Sequence, residues 1–234
     1  MDEMMLVRGF WGPRAESVDE ISQRLSALGA SLDGLVSATI PWRTADGVDV
    51  SLADVNAVRA VLDSALERSL DAPEVGMLEL FEACGPDAAI WAMTVAAGGT
   101  SNARKVKNSV VLEVSGLDSV SMIIGSFLES LVTAWDPDWG DVTSDSILDG
   151  LLDRDLLAGR APKFGHMTYL SSGRRVIESG AIELSIVDLP WGSVVRSPAA
   201  SRDHLFSVAE AVELTATLSG TEALAETPTS RSKL

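Results

Sequence analysis

One stretch, residues 118–146, constrains the fold more than any other part of the sequence. Its first half repeats apolar residues every three or four positions, which is the spacing of a helix with one broad buried face. The repeating residues are Val120, Ile123, Ile124, Phe127, Leu128, Leu131, Val132 and Trp135. Because Pro137 disfavours helical geometry at the residue before it, we expect this helix to end at Trp135. A core helix therefore delivers the residues that follow to one edge of the fold.

The residues after this helix, 135–141, combine two indoles with three carboxylates in a turn-rich segment, and further aspartates follow up to residue 155. Indole rings beside carboxylates are typical of protein–protein interfaces. Trp135 extends the apolar stripe and is predicted to lie in the core, whereas Trp139 lies past the proline and is predicted to be exposed. The predicted partner-binding residues are Asp136, Asp138, Trp139, Asp141, Asp145 and Asp149.

Two other interpretations of the acidic segment stay open: a solvated surface, or oxygen ligands for a divalent metal in a hydrolase. The calcium-loop template fails, because the glycine and the closing glutamate are out of place after Asp136 and Asp138. The sequence also contains no GxSxG nucleophile elbow, no GxGxxG and no P-loop lysine. We therefore predict no metal, no cofactor and no enzymatic activity.

Composition limits the function classes further. A net charge of −16 argues against nucleic-acid binding through a basic surface. No apolar run approaches the roughly 18 residues that a membrane helix needs, and the acidic start of the chain lacks the features of a signal peptide. Cys84 is the only cysteine, so no disulfide can form within the chain. These features predict a cytoplasmic protein that does not contact membranes.

The order of predicted elements indicates an α+β fold. Strands are predicted at residues 4–10, 88–97, 110–115, 166–171 and 181–188, and helices at residues 18–28, 55–70, 120–135, 147–157 and 201–218. Strands joined by short loops pair antiparallel, with the helices layered on the sheet, so we expect one hairpin of residues 88–97 with 110–115 and another of residues 166–171 with 181–188. We expect one domain over residues 1–218, with a mostly antiparallel sheet of about five strands, and a disordered tail over residues 219–234.

Several motifs, taken together, resemble those of the immunity protein 52 family of bacterial polymorphic-toxin systems. They are the residues 11–14 with Glu16 after the first strand, Pro41-Trp42 after the first helix, residues 135–139 after the central helix, and residues 165–171 before a strand near Gly180. The motif residues assigned a structural role are Trp11, Gly12, Arg14, Trp42, Trp135 and Tyr169. For Arg14 the sequence leaves two roles open: pairing with a carboxylate from the acidic segment, or capping backbone carbonyls.

The resemblance implies a cytoplasmic α+β protein that neutralises a toxin encoded beside it, commonly a nuclease. The negative charge agrees with this expectation, since a nuclease holds polyphosphate in a basic cleft. We therefore predict an immunity protein that binds a cognate protein toxin through its acidic and aromatic segment. A carboxylate-metal hydrolase and a self-associating structural protein are the alternatives.

Overall fold

The computed structural model describes residues 3–68, 72–84, 89–101, 108–116, 120–157, 161–174, 182–198 and 205–226. Residues 69–70, 88, 181 and 201–204, at the ends of predicted elements, lie outside these ranges, as do residues 227–234 of the predicted tail. The elements are β1 (Met5–Trp11), α1 (Val18–Val36), β2 (Trp42–Thr44), β3 (Asp49–Val50), α2 (Val55–Arg68), α3 (Ala72–Val75), β4 (Met77–Cys84), β5 (Ile90–Ala97), β6 (Asn108–Ser115), α4 (Val120–Trp135), β7 (Trp139–Ser144), α5 (Asp145–Asp153), β8 (Met167–Ser171), β9 (Ser185–Leu189), β10 (Gly192–Arg196) and α6 (Val208–Leu218).

The strands form one antiparallel sheet in the order β3-β2-β4-β5-β6-β1-β7-β8-β10-β9. The fold is α+β, but the prediction of about five strands is wrong, because the described residues form a sheet of ten. Strands β2 and β3 have three and two residues, too few to show a period-two pattern. In β4 the pattern is blurred because Glu79 faces inward and Leu78 faces solvent.

The second half of the sheet differs from the prediction in two places. Residues 139–144, expected to be a loop, form β7, which pairs with β1 on one side and β8 on the other. The expected hairpin between residues 166–171 and 181–188 is also wrong, because β10 lies between β8 and β9 and pairs with both. The predicted hairpin of β5 and β6 is confirmed.

Two hydrophobic cores lie on opposite faces of the sheet. Helices α1, α2 and α4 cover one face, where α4 packs on β1, β7 and β8. Helices α5 and α6 cover the other face, and only at the β7–β8–β10 end among the elements that the structure describes. Alternate residues of one strand serve the two cores, since Val142 of β7 points to the first and Trp139 to the second. None of the helices in the described ranges has the length and apolar character needed to cross a membrane.

The helix boundaries follow local signals. Ser17 and Glu20 form a capping box at the start of α1, and Ser207 and Glu210 form another at the start of α6. Helix α4 ends at Trp135, as predicted. After α6, a short 3-10 helix, Glu222–Leu224, buries two side chains in the second core, so this part of the predicted tail packs against the domain.

Close packing of α4 on the sheet depends on two glycines. Gly9 of β1 and Gly140 of β7 lie directly opposite each other, under α4. A Cβ at Gly140 would lie 2.6 Å from the backbone oxygen of Arg8, and a Cβ at Gly9 would overlap the Leu131 side chain. Any larger residue at Gly140 therefore requires the β1 backbone to move.

We expect Gly140→Ala to lower the free energy of unfolding by about 1–3 kcal/mol, because the added methyl group overpacks a contact with backbone. Gly34→Ala in α1 is the matched control, since nothing lies within 4 Å of its added Cβ. This control should raise stability by up to about 1 kcal/mol through helix propensity. Urea denaturation of both variants measures the difference, and equal stabilities would contradict the packing argument.

Glu79 is a buried carboxylate in β4. Its side chain is 4% exposed and lies 3.1 Å from Nη2 of Arg68, whose own side chain is half exposed. Burial raises the pKa of Glu79, the positive charge of Arg68 opposes the rise, and the negative charge of Asp46 adds to it. The folded chain therefore holds a proton on Glu79 at pH values where the unfolded chain has released it.

A raised carboxyl pKa stabilises the folded state below the unfolded pKa, and that contribution is lost as pH rises through the folded pKa. Glu79→Gln cannot titrate. We expect its stability relative to the parent chain to increase as the pH is raised from about 4 to about 7, measured by urea denaturation at each pH. A difference between the two proteins that stays constant across this range would contradict the prediction.

Candidate functional site

Asp141 and Arg8 form an ion pair inside the sheet. They lie opposite each other in β7 and β1, and the Asp141 carboxylate accepts hydrogen bonds from Nε and Nη2 of Arg8 at 2.8 and 2.7 Å. Asp141 is fully buried. Burial disfavours the charge on Arg8, but the adjacent carboxylate outweighs it and raises the pKa of Arg8. Asp141 is thus held within the fold rather than presented to solvent.

Asp138 is the second buried carboxylate of the predicted binding segment. One carboxylate oxygen accepts a hydrogen bond from the backbone N–H of Gly12 at 2.8 Å. Its own backbone N–H donates to the Phe10 carbonyl, and its carbonyl accepts from Ser171. Burial lowers the pKa of the nearby Arg174 guanidinium, and the charge of Asp138 opposes that shift. Asp138 therefore joins the ends of β1, β7 and β8.

The end of α4 is capped by two arginines. Nη2 of Arg14 donates to the Trp135 carbonyl at 3.0 Å, and Nη1 of Arg24 donates to the Ala134 carbonyl at 3.0 Å. Asp136 follows with a φ of 44°, the left-handed conformation that commonly ends a helix. Positive charge at a helix carboxyl end stabilises its unpaired carbonyls. The carbonyl-capping role considered for Arg14 is confirmed.

Glu16 forms ion pairs with both arginines. Its Oε1 lies 3.0 Å from Nη2 of Arg14 and 3.1 Å from Nε of Arg24, and its side chain is 2% exposed. Burial lowers the pKa of Arg14, and the charge of Glu16 opposes the shift. The cluster of Arg14, Glu16 and Arg24 is therefore a buried structural network.

The tryptophans of the predicted structural motif lie inside the molecule. Trp11 stacks on Trp135 with ring centroids 5.2 Å apart, and the Arg14 guanidinium lies over the Trp11 ring, 4.9 Å from its centroid. Trp42 meets Trp91 edge to face at 6.4 Å. Two further motif residues, Gly12 and Tyr169, are also buried. The Tyr169 hydroxyl donates to the Trp191 carbonyl at 3.0 Å.

Trp139 does not reach the surface. It is 6% exposed, and its ring stacks on Phe10 with centroids 4.5 Å apart, beneath α5 and α6. The predicted exposure of Trp139 is therefore wrong. Its position in β7 points the indole toward the second core, which no local sequence pattern indicates, because that core is formed by helices later in the chain.

The remaining predicted residues do reach the surface. Asp145 and Asp149 are exposed on α5, and Asp136 is half-buried at the turn after α4. The structure therefore divides the predicted binding segment in two. Asp138, Trp139 and Asp141 are interior, whereas Asp145 and Asp149 belong to an outer helix face together with Asp153, four residues further on.

A polar contact that sequence reasoning did not identify joins β8 to the start of α6. Nδ1 of His166 donates to the Phe206 carbonyl at 2.7 Å, so its Nε2 accepts from the Ser144 hydroxyl at 3.0 Å. Ser144 is fully buried, which makes the contact structural. Within the described ranges, no group of three or more His, Cys, Asp or Glu side chains is arranged to hold a metal ion.

Asp141→Asn and Asp149→Asn should separate the two halves of the acidic segment. Removing the buried charge leaves Arg8 desolvated without its partner, so we expect Asp141→Asn to lower the free energy of unfolding by about 3 kcal/mol. Asp149→Asn changes an exposed side chain and should shift stability by less than about 0.5 kcal/mol. Thermal and urea unfolding measure both, and a small loss for Asp141→Asn would contradict its assignment as a structural ion pair.

No known protein family matches the sequence, and no curated protein matches it. Among solved structures, the chain is similar to the Pseudomonas aeruginosa T6SS protein PA0821, with a TM-score of 0.56 and 11% sequence identity. The match covers 93% of this chain and 77% of that chain. At this identity the likeness shows a shared fold, and the resemblance to the immunity protein 52 family stays a sequence-based prediction.

Proposed function

We propose that this chain is an immunity protein, a non-enzymatic inhibitor that acts in the cytoplasm by binding a positively charged protein toxin, with a nuclease as the toxin class. The observation that carries the proposal is the distribution of charge over the fold. The fold shared with a T6SS protein agrees with it, since that protein is named for a bacterial secretion system.

The positive charges of the described residues are largely used within the molecule. Seven arginines each form an ion pair with a carboxylate of the same chain: Arg8, Arg14, Arg24, Arg43, Arg59, Arg68 and Arg154. Arg174 instead donates to backbone carbonyls at 2.6 and 3.3 Å. Most positive charges of the described residues are therefore engaged within the chain, which as a whole carries a net charge of −16.

Helix α5 presents a row of that excess charge. Asp145, Asp149 and Asp153 recur every four residues, so they follow one stripe of the helix, and all three are exposed. None of the three forms an ion pair within the part of the chain that the structure describes. Leu152, 62% exposed, lies beside the row and adds an apolar side chain.

A row of carboxylates with an apolar neighbour suits a basic protein partner. Long-range attraction between opposite charges accelerates association, and an enzyme that holds polyphosphate offers a cleft of the required sign. Carboxylates on a helix can occupy the positions that phosphates would otherwise take. The proposed inhibitor thus competes with the nucleic acid for the same positive field.

The test removes the three carboxylates of α5 together, as Asp145→Asn, Asp149→Asn and Asp153→Asn. The binding probe is the carboxy-terminal domain of the secreted protein encoded beside the gene for this chain. We expect the association rate at low salt to fall about 10-fold or more, and its dependence on salt to become weaker, because steering charges act mainly on association. Stopped-flow or surface-plasmon measurements at several salt concentrations give both quantities.

The matched control removes three exposed carboxylates elsewhere, as Glu67→Gln, Glu74→Gln and Glu129→Gln. Both triple variants lose the same net charge, so a difference between them isolates the α5 surface from overall attraction. Cell survival on co-expression with the toxin domain is the second readout. A parent chain that neither binds nor protects would overturn the proposed function. Equal binding by the two triple variants would overturn only the α5 assignment.

A further inference from the structure

The elements that the structure describes leave a large part of the sheet face that carries α5 and α6 uncovered. Alternate residues of β4, β5 and β6 point away from the first core toward this side. Leu78 is 69% exposed and Ile90 is 64% exposed, whereas their strand neighbours Met77 and Trp91 are buried. We name this surface, formed by the outward residues of β4, β5 and β6, the open face.

The register shows that the open face is continuous. Leu78 lies opposite Ala96, which lies opposite Ser109, and at the other end Ile90 lies between Cys84 and Ser115. Between these ends the outward residues of β4, β5 and β6 form two rows: Leu80, Thr94 and Val111, and then Ala92 flanked by Glu82 and Glu113. The open face therefore has one large exposed apolar side chain near each end, Leu78 at one and Ile90 at the other.

The open face adjoins the α5–α6 layer. Ser109 of β6 lies opposite Phe10 of β1, and Phe10 lies opposite Trp139 of β7. Phe10 stacks on Trp139, and Trp139 packs in the core beneath α5. The open face therefore ends at the α5–α6 layer, and the outer surface of that layer carries the acidic row of α5.

Charges on the open face are mainly negative. Glu82 and Glu113 point outward from β4 and β6, and Arg43, across from Glu82, is paired with Asp49. A second copy of this chain would bring the same carboxylates and another net charge of −16 to the contact. Like charges facing each other are unfavourable, so the charge distribution selects a basic partner over self-association.

Size gives an independent argument. Three strands of eight residues cover an area of about 14 Å by about 27 Å, or roughly 400 Å². A stable interface buries about 800 Å² on each partner. The open face alone is therefore too small, so a stable complex must also contact neighbouring surfaces, of which the α5 surface is one.

We propose that the open face is the main docking surface for the toxin, whose contact surface is apolar at its centre and rimmed by lysine or arginine. This inference rests on the proposed function and extends it. Leu78 and Ile90 are the apolar anchors, and Glu82 and Glu113 contact basic side chains of the toxin. The carboxylates of α5 attract the toxin toward the open face by long-range electrostatics. Exposed apolar patches of this kind mark interaction sites in soluble proteins.

The test replaces both anchors, as Leu78→Ser with Ile90→Ser, and measures calorimetric affinity and dissociation rate against the same toxin domain. Because both side chains are exposed, the variant should fold with an unchanged thermal midpoint. We expect affinity to fall at least 10-fold, with a faster dissociation rate and the same salt dependence as the parent, since apolar contacts act after encounter. Leu66→Ser with Ile186→Ser removes two exposed apolar side chains elsewhere and should bind like the parent.

The possible results separate the inference from the function on which it rests. If the parent chain binds and protects while the anchor variant binds equally well, the open face is not the docking surface and the proposed function stands. If the parent neither binds nor protects, both are overturned. If light scattering shows a dimer of the parent that the anchor variant loses, with toxin binding unaffected, a second copy occupies the face and the inference is wrong.

Discussion

Arg14 and Arg24 hold the carboxyl end of α4 through its last carbonyl groups, and much of the structure depends on that contact. These carbonyls have no partners within the helix, so their cap stabilises the turn at Asp136 that Pro137 favours. The turn places β7 between β1 and β8, where it joins the two halves of the sheet. The cap of α4 thus helps to position β7, whose side chains enter both hydrophobic cores.

The acidic segment shows how one residue type serves two purposes. Asp138 and Asp141 can be buried because each accepts a hydrogen bond from a neighbouring element. Asp138 accepts from the Gly12 amide, and Asp141 accepts from the Arg8 guanidinium. Buried charges are tolerated only with such partners. Asp149, a few residues later, is exposed on α5 and forms no ion pair with the residues that the structure describes. Interior carboxylates therefore build the scaffold, and the outer carboxylates of α5 are the ones that the proposed function assigns to recognition.

The proposed function follows from what remains after internal pairing. Seven arginines of the described residues are paired with carboxylates of the same chain, and the chain as a whole carries a net charge of −16. The open face of β4, β5 and β6 is the apolar surface that the further inference assigns to the same partner.

Local patterns in the sequence were sufficient for the α+β class, for the end of α4 at Trp135 and for the β5–β6 hairpin, since each depends on periodicity or on a proline nearby. They did not indicate β7, the burial of Trp139 or the position of β10 between β8 and β9. Those features depend on partners more than a hundred residues away or on elements later in the chain. Tertiary structure alone decided which aspartates are structural and which face of the sheet stays open, because burial is a property of neighbours in space.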